Sequence, residues 1–190
     1  MYKFRKLNLD PQKLDAEAIG HYVEIVKLIT IYRHNLFDDF VKTPLSEHVL
    51  SLVQRTFPYF WVILTKADGR FCGFIYLYDF VGDEKCTHSA CVTVCLKKSF
   101  WGRAARDIGR AFTGFCFRKM GLKKLRAECF ASNTLTGKVL CDLKFKKEGV
   151  LKGETLVNGR SEDLVLWGMR KPVPGWQRCE AVTRSTTMAT

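Results

Sequence analysis

An α/β domain built on one mixed sheet of about seven strands, with helices on both faces, is the fold this 190-residue sequence predicts. Three observations carry that expectation. The apolar spacing changes from a helical period to aromatic and β-branched runs at Phe60, then returns to a helical stripe at Arg103. A strand, a tight turn of small residues and a helix follow one another from Thr87 to Met120. Two hairpin signals, Asp68-Gly69 and Asn158-Gly159, join neighbouring runs.

The elements follow in order. "YKFRKLNL" alternates polar and apolar residues as a first strand, and Asp10-Pro11 breaks it. "AEAIGHYVEIVKLITIYRHNLFDDFV" has apolar residues at helical spacing in more than one segment. Thr43 then reads as an N-cap and Pro44 as the first-turn proline of "LSEHVLSLVQRTF". "FWVILTK" and "RFCGFIYLYDF" form a hairpin through Asp68-Gly69. "THSACVTVCL" carries no charge on its Val92, Val94, Leu96 face or on its Cys91, Thr93, Cys95 face, the pattern of a central strand covered on both sides.

From Arg103 to Met120, Ile108, Ala111, Phe112, Phe115 and Cys116 make one apolar helical stripe, and Gly121 ends it in a left-handed cap. "KLRAECFA" is the next strand and "NTLTGKVLCDLKF" a short helix. "EGVLKGETLVNGRSEDLVLWGMR" is a hairpin turning at Asn158-Gly159. One domain over residues 1–170 is expected, with an extended or disordered tail over 171–190, where the sequence turns polar and aperiodic.

Composition narrows the function. No apolar run reaches the roughly 18 residues of a membrane span, and the N-terminus lacks a secretory apolar core, so a cytoplasmic protein is expected. The eight cysteines sit mostly in apolar runs without C-x-x-C spacing, as buried reduced thiols would. His21, His34, His48 and His88 are scattered, and no metal site is expected. The formal net charge of +12 is concentrated between Lys97 and Arg126, where Asp107 is the one acid among ten basic residues before the strand's end. Such a field favours anions. A solvated basic face, a phosphorylated cofactor and nucleic acid all fit it, although nucleic acid lacks an aromatic-basic pattern here.

The stretch "KKSFWGRAARDIGR" concentrates the question. Gly102, Ala104 and Ala105 let the backbone pass close to a ligand, and the first N–H groups of the helix lack intrahelical acceptors. Arg103 and Arg106 add full charges. This can be an anion site or plain close packing. Neither G-x-x-x-x-G-K-[ST] nor G-x-G-x-x-G is present.

The element order, "SFWGRA" and "NTLTGKVLCDLKFKKEGVLKG" together resemble the GNAT superfamily of acetyl-CoA-dependent N-acetyltransferases, over about Tyr2 to Arg170. The Trp-Gly pair and the second segment are similar to the branch that acetylates N-terminal amines of ribosomal proteins. Gly102 and Ala104 match the family's [QR]-x-x-G-x-[GA] turn, with Ser99 in place of Gln or Arg. Asn133, Val139, Leu140, Leu143, Phe145, Glu148 and Gly149 match the branch pattern, with Thr136 for Ser and Lys144 for Gly.

The resemblance implies a GNAT fold with acetyl-CoA in a V-shaped opening between the strand ending near Leu96 and the strand near Ala127 to Phe130. Val94, Cys95 and Leu96 would pair with the pantetheine, and Gly102, Arg103, Ala104, Ala105 and Arg106 would hold the pyrophosphate. Asn133 and Thr136 would reach the pantetheine arm, and an N-capping role for Asn133 stands beside that. An amine acceptor would attack the thioester directly, helped by positioning and hydrogen-bond donors. The family's tyrosine acid is replaced by Leu140, with Cys141 beside it as a substitute acid. His88 is a candidate base, and Asp79 or Glu84 could act through water. The same departures admit a second reading, a catalytically inactive binding or assembly protein of this fold, such as a phage virion component.

Overall fold

The structure, a computed structural model, describes residues 1–10, 12, 15–41, 44–83 and 87–171. Its elements are β1 (Tyr2–Lys6), α1 (Ala16–Leu36), α2 (Leu45–Thr56), β2 (Phe60–Thr65), β3 (Phe71–Gly82), β4 (Thr87–Leu96), α3 (Arg103–Arg118), β5 (Lys124–Phe130), α4 (Thr134–Asp142), β6 (Lys146–Val157) and β7 (Arg160–Arg170). The seven strands form one sheet in the order β1-β2-β3-β4-β5-β7-β6. Strands β1 to β4 are an antiparallel meander, β5 runs parallel to β4, and β7 and β6 close the far side antiparallel. The parallel step needs a crossover, and α3 supplies it.

Period-2 alternation divides the core between two faces. On one, Ile25, Leu28 and Ile29 of α1 and Val49, Leu52 and Val53 of α2 pack on Val62, Leu64, Phe74, Tyr76 and Cys95. On the other, Ile108, Phe112, Cys116 and Phe117 of α3 and Leu140 of α4 pack on Trp61, Ile63, Ile75, Leu77, Ala127 and Cys129. Gly109 permits the close approach of α3 and α4: a Cβ there would lie 2.4 Å from Leu143 Cδ1.

Several local expectations change, but the first helical stretch keeps its expected division: α1 is two helical segments that meet at a kink at non-helical Tyr32 (φ −112°, ψ 23°), with the Asp15 side chain capping the start by accepting from Ala18 N–H at 2.6 Å. Pro44 stands at the N-cap position of α2, extended and without a side-chain cap, because its ring offers no acceptor; Thr43 lies outside the described residues. Helix α3 ends at Arg118, two residues early, with Gly121 left-handed at φ +76°. Asn158 and Gly159 both have positive φ (53° and 71°), as a two-residue hairpin turn requires. Lys171 donates its N–H to Lys123 O at 2.8 Å, and the rest of the expected tail lies outside the described residues.

The loop after α1 is fastened to the β6–β7 turn. The Asp39 carboxylate accepts from Asn158 N–H (3.1 Å) and Gly159 N–H (2.7 Å), and its own N–H donates to Leu156 O (2.9 Å). This join builds one wall of the site described next.

Candidate active site

Strands β4 and β5 pair only from Ser89↔Lys124 to Cys91↔Arg126. Beyond that point β4 stays with β3 and β5 with β7, and a cleft of about 990 Å³ opens through the sheet. One consequence corrects the sequence reading: on the face where Leu96 is buried and Val92 packs against the α3-side core, Val94 is 41% exposed and forms part of the cleft wall.

The register also decides which peptide groups are free. Lys97 donates its N–H to Cys72 O while Leu96 stands opposite Gly73, so the hydrogen-bonded pairs with β3 fall at Cys95, Thr93 and Cys91. The Val94 peptide groups and the Val92 C=O therefore turn into the gap, while the Val92 N–H closes the β4–β5 ladder at the Cys91↔Arg126 pair. Of the expected cofactor-binding trio, Val94 lines the cleft with its peptide groups turned into it, and Cys95 has its peptide groups committed to Phe74. The Leu96 carbonyl accepts the Trp101 indole N–H at 3.0 Å. Val92 was missed, although the alternation that selects Val94 also selects it.

The turn after β4 is a 3-10 segment, Lys98–Phe100, anchored by buried Phe100. Gly102 then adopts φ +70° and ψ −121°, and a Cβ on it would meet nothing within 4 Å. The space above it is open to a ligand. Helix α3 starts at Arg103, so the N–H groups of Arg103, Ala104 and Ala105 have no carbonyl one turn back. Arg106 N–H already donates to Gly102 O at 3.3 Å, which limits the amide cradle to three donors. The Arg106 side chain lines the cleft and pairs with Asp142 at 3.2 Å. Ala105 lines it too, whereas Ala104 packs toward the α3-side core and the Arg103 side chain, 92% exposed, leans to Asp107 at 4.0 Å.

Asn133 and Thr136 both line the cleft at the start of α4. Asn133 is the N-cap, its Oδ1 accepting from Thr136 N–H at 3.2 Å, so its amide nitrogen is the part left for a ligand. Two catalytic expectations fail on geometry. Cys141 is exposed and lines a separate groove between α3 and α4, because one residue beyond cleft-lining Leu140 lies about 100° around the helix. His88 is exposed near the start of β4, in the direction opposite to the opening, six residues before Val94, and does not line the cleft. Asp79 is held by Arg126 at 2.8 Å, and Glu84 lies outside the described residues.

A residue that sequence reasoning passed over takes the central position. Glu128 lines the cleft just past the point where the strands part, on the face covered by α1 and α2. Its signal was available: it is the one acid in "KLRAECFA", between Ala127 and Cys129, both turned to the opposite core. Tyr76, Tyr78, Thr93, His48 and Arg55 line the same half. Burial pushes the Tyr76 phenol up to about 12 and the Cys91 thiol up to about 11. Burial, with Arg55 and Arg33, holds His48 below its ordinary value, so it is neutral at pH 7. Among the described residues no group of three or more His, Cys, Asp or Glu could hold a metal ion, and no helix is long and apolar enough to cross a membrane.

Solved structures share this architecture. The chain superposes on ribosomal-protein-S5-alanine acetyltransferase from Vibrio fischeri with a TM-score of 0.64 at 20% identity, covering 93% of this chain and 96% of that one. It superposes on spermidine N-acetyltransferase from Vibrio cholerae with a TM-score of 0.69 at 16% identity, covering 89% and 95%. A third is the acetyl transferase from Salmonella typhimurium that modifies the N-terminal serine of ribosomal protein L7/L12 (0.69, 17%, 90% and 95%). No curated protein matches the chain in sequence. The family model for the acetyltransferase (GNAT) domain matches residues 11–146. With the split sheet and the helix start both in hand, the chain belongs to the GNAT family and is an N-acetyltransferase whose acetyl donor is acetyl-CoA.

Proposed function

We propose that the protein transfers an acetyl group to a primary amine by direct attack in a ternary complex, with Glu128 as the base. The carrying observation is the cleft itself, which passes through the sheet and joins two chemically different halves beside Glu128. The donor half fits acetyl-CoA: open space above Gly102, three unpaired amides at Arg103, Ala104 and Ala105, and the Arg106 guanidinium suit a pyrophosphate. The Val94 peptide groups and the Val92 C=O are offered to the pantetheine, with the Asn133 amide and Thr136 across from them.

When bound, acetyl-CoA supplies a thioester carbon open to attack. The chain's own part is positioning, proton removal and exclusion of water. Glu128 receives the proton of the incoming amine. The other half, walled by Tyr32, Phe37, Phe40, Asp38 and Glu154, receives the acceptor. Spermidine and ribosomal-protein residues are the acceptors named for the structural neighbours, and these amines set the panel to assay.

Calorimetry with acetyl-CoA on the intact protein and on Gly102→Glu tests the donor half. Binding tighter than about 100 μM, lost in the variant, is expected. Turnover on spermidine or on peptides with N-terminal Ala or Ser, reduced about 100-fold or more in Glu128→Gln, tests the base. Absence of binding to the intact protein would remove the donor assignment.

A further inference from the structure

A groove of about 920 Å³, separate from the catalytic cleft, runs between α3 and the end of α4. We infer that it docks the phosphate backbone of double-stranded nucleic acid, recognised by charge and without base readout.

One row of α3 builds the first wall. Arg106, Arg110, Gly114 and Arg118 recur every fourth residue and share a ridge about 18 Å long. Gly114 leaves that ridge low, and the Arg118 guanidinium lies back over it: a Cβ on Gly114 would stand 2.7 Å from Arg118 Nη2. Lys144 lines the groove from the turn after α4, and Lys171 from just past β7.

Positive charge is in excess here. Arg106 pairs with Asp142 at 3.2 Å and Arg110 with Asp107 at 3.1 Å. Among the described residues, Arg118, Lys144 and Lys171 make no ion pair, and Asp142 is the one acid in the lining. Three uncompensated cations around a concavity concentrate a field that attracts anions.

Lys144 adds a second indication. It holds the left-handed position just past α4, at φ +73°, where a glycine would carry no strain. Its N–H donates to Cys141 O at 2.9 Å, so the helix ending needs only its backbone. The lysine side chain puts a charge on the groove's rim that the fold itself does not require.

The rest of the lining selects the partner. Phe117, its one ring, is 5% exposed, so splayed bases find nothing to stack on. No large exposed apolar side chain lines the groove to enter a bilayer. Cations without rings suit the phosphates of a duplex. Acetyl-CoA does not reach this far: Arg118 lies about 22 Å along α3 from Arg103, beyond the adenosine end of a coenzyme whose pyrophosphate sits on the first amides of the helix. The Arg106–Asp142 pair stands on the boundary, since both residues line groove and cleft. Residues 172–190 have Arg178, Glu180 and Arg184 as their charged side chains, so that segment does not complement the groove.

Fluorescence anisotropy of the full chain with a labelled RNA duplex of about 20 base pairs, and with a DNA duplex of the same sequence, tests this. Binding tighter than about 100 μM at about 0.1 M salt is expected, with log affinity falling against log salt at a slope of about −2.7, roughly 0.9 for each of three phosphates. Arg118→Gln with Lys144→Gly is expected to weaken binding about tenfold or more and to flatten the slope by about 2. Lys6→Gln with Lys66→Gln makes the same charge change on exposed residues at the β1–β2 end of the sheet and should stay within about twofold of the parent, as should acetyl-CoA affinity in both variants. Lys144→Gly alone relieves the left-handed backbone, so its Tm should rise while duplex binding falls; a merely structural Lys144 would move both down and overturn its part in docking. Binding of RNA alone, DNA alone or both supports the proposal and names the source. No binding to either duplex, equal weakening in groove and control variants, or displacement of the duplex by adenosine 3′,5′-bisphosphate would overturn it. Polyglutamate of equal charge competing as well as unlabelled duplex would assign the groove to an acidic protein and overturn it too.

Discussion

The Trp101 indole N–H donates to the Leu96 carbonyl at 3.0 Å, tying the turn that carries Gly102 to the last residue of β4. The same ring packs on Tyr32, centroids 5.5 Å apart, at the one non-helical residue of α1. One side chain thus sets the amide cradle relative to both the strand and the first helix.

Trp101→Phe keeps an aromatic ring for Tyr32 and removes the hydrogen bond. A stability loss of about 1 kcal/mol is expected from denaturant titration, since one such bond contributes about that much. Acetyl-CoA affinity by calorimetry is expected to fall several-fold, because the three free amides lose their fixed relation to Val94.

Gly102→Ala has open space for its methyl group, so any penalty comes from the backbone. At φ +70° and ψ −121° an L side chain is strained by about 1–3 kcal/mol. The expected result is a lower Tm together with weaker acetyl-CoA binding. An Ala variant of unchanged stability would show that the turn can reach another conformation at little cost.

Asp39→Ala removes the carboxylate that receives Asn158 N–H and Gly159 N–H. With both groups exposed, a loss of about 1–2 kcal/mol is expected. The wall it holds belongs to the acceptor half, so the KM for the amine should rise while acetyl-CoA affinity is unaltered. Asp39→Asn keeps one acceptor oxygen and is expected to fall between the two.

Acid sensitivity is expected where α1 meets the end of β4. The Lys97 ammonium, 2.5 Å from Glu24, holds the Glu24 carboxyl below its ordinary value near 4.5, with Lys27 adding to the effect. A lowered folded-state value means stability that is present above pH 4.5 and lost as pH falls below it. Solvent screening limits the contribution to under about 1 kcal/mol. Glu24→Gln should flatten the loss of stability between pH 5 and pH 3, measured by urea titration, and lower the pH 7 stability by that same contribution, under about 1 kcal/mol.

Local signals sufficed for much of this protein. Aromatic and β-branched runs marked the strands, the Ile108, Phe112, Cys116 stripe marked α3, and Asn158-Gly159 marked the last hairpin, because each depends on residues close in sequence. Gly102 was legible for the same reason: a backbone conformation that L side chains resist leaves its mark on one position. The Asn133 cap was also within reach of a local reading.

Tertiary structure alone decided which of these residues meet. The sequence of β4 shows two uncharged faces but not that β5 leaves it after Cys91, since pairing is a relation between chains of atoms far apart in sequence. That departure exposes Val94, frees the Val92 C=O, and brings Glu128 and Tyr78 to one opening. It also leaves His88 at the closed end of the strand, while the 100° step of α4 turns Cys141 away. Residue types and their local periods follow from the chain; the register between strands, which selects the chemistry, follows only from the folded sheet.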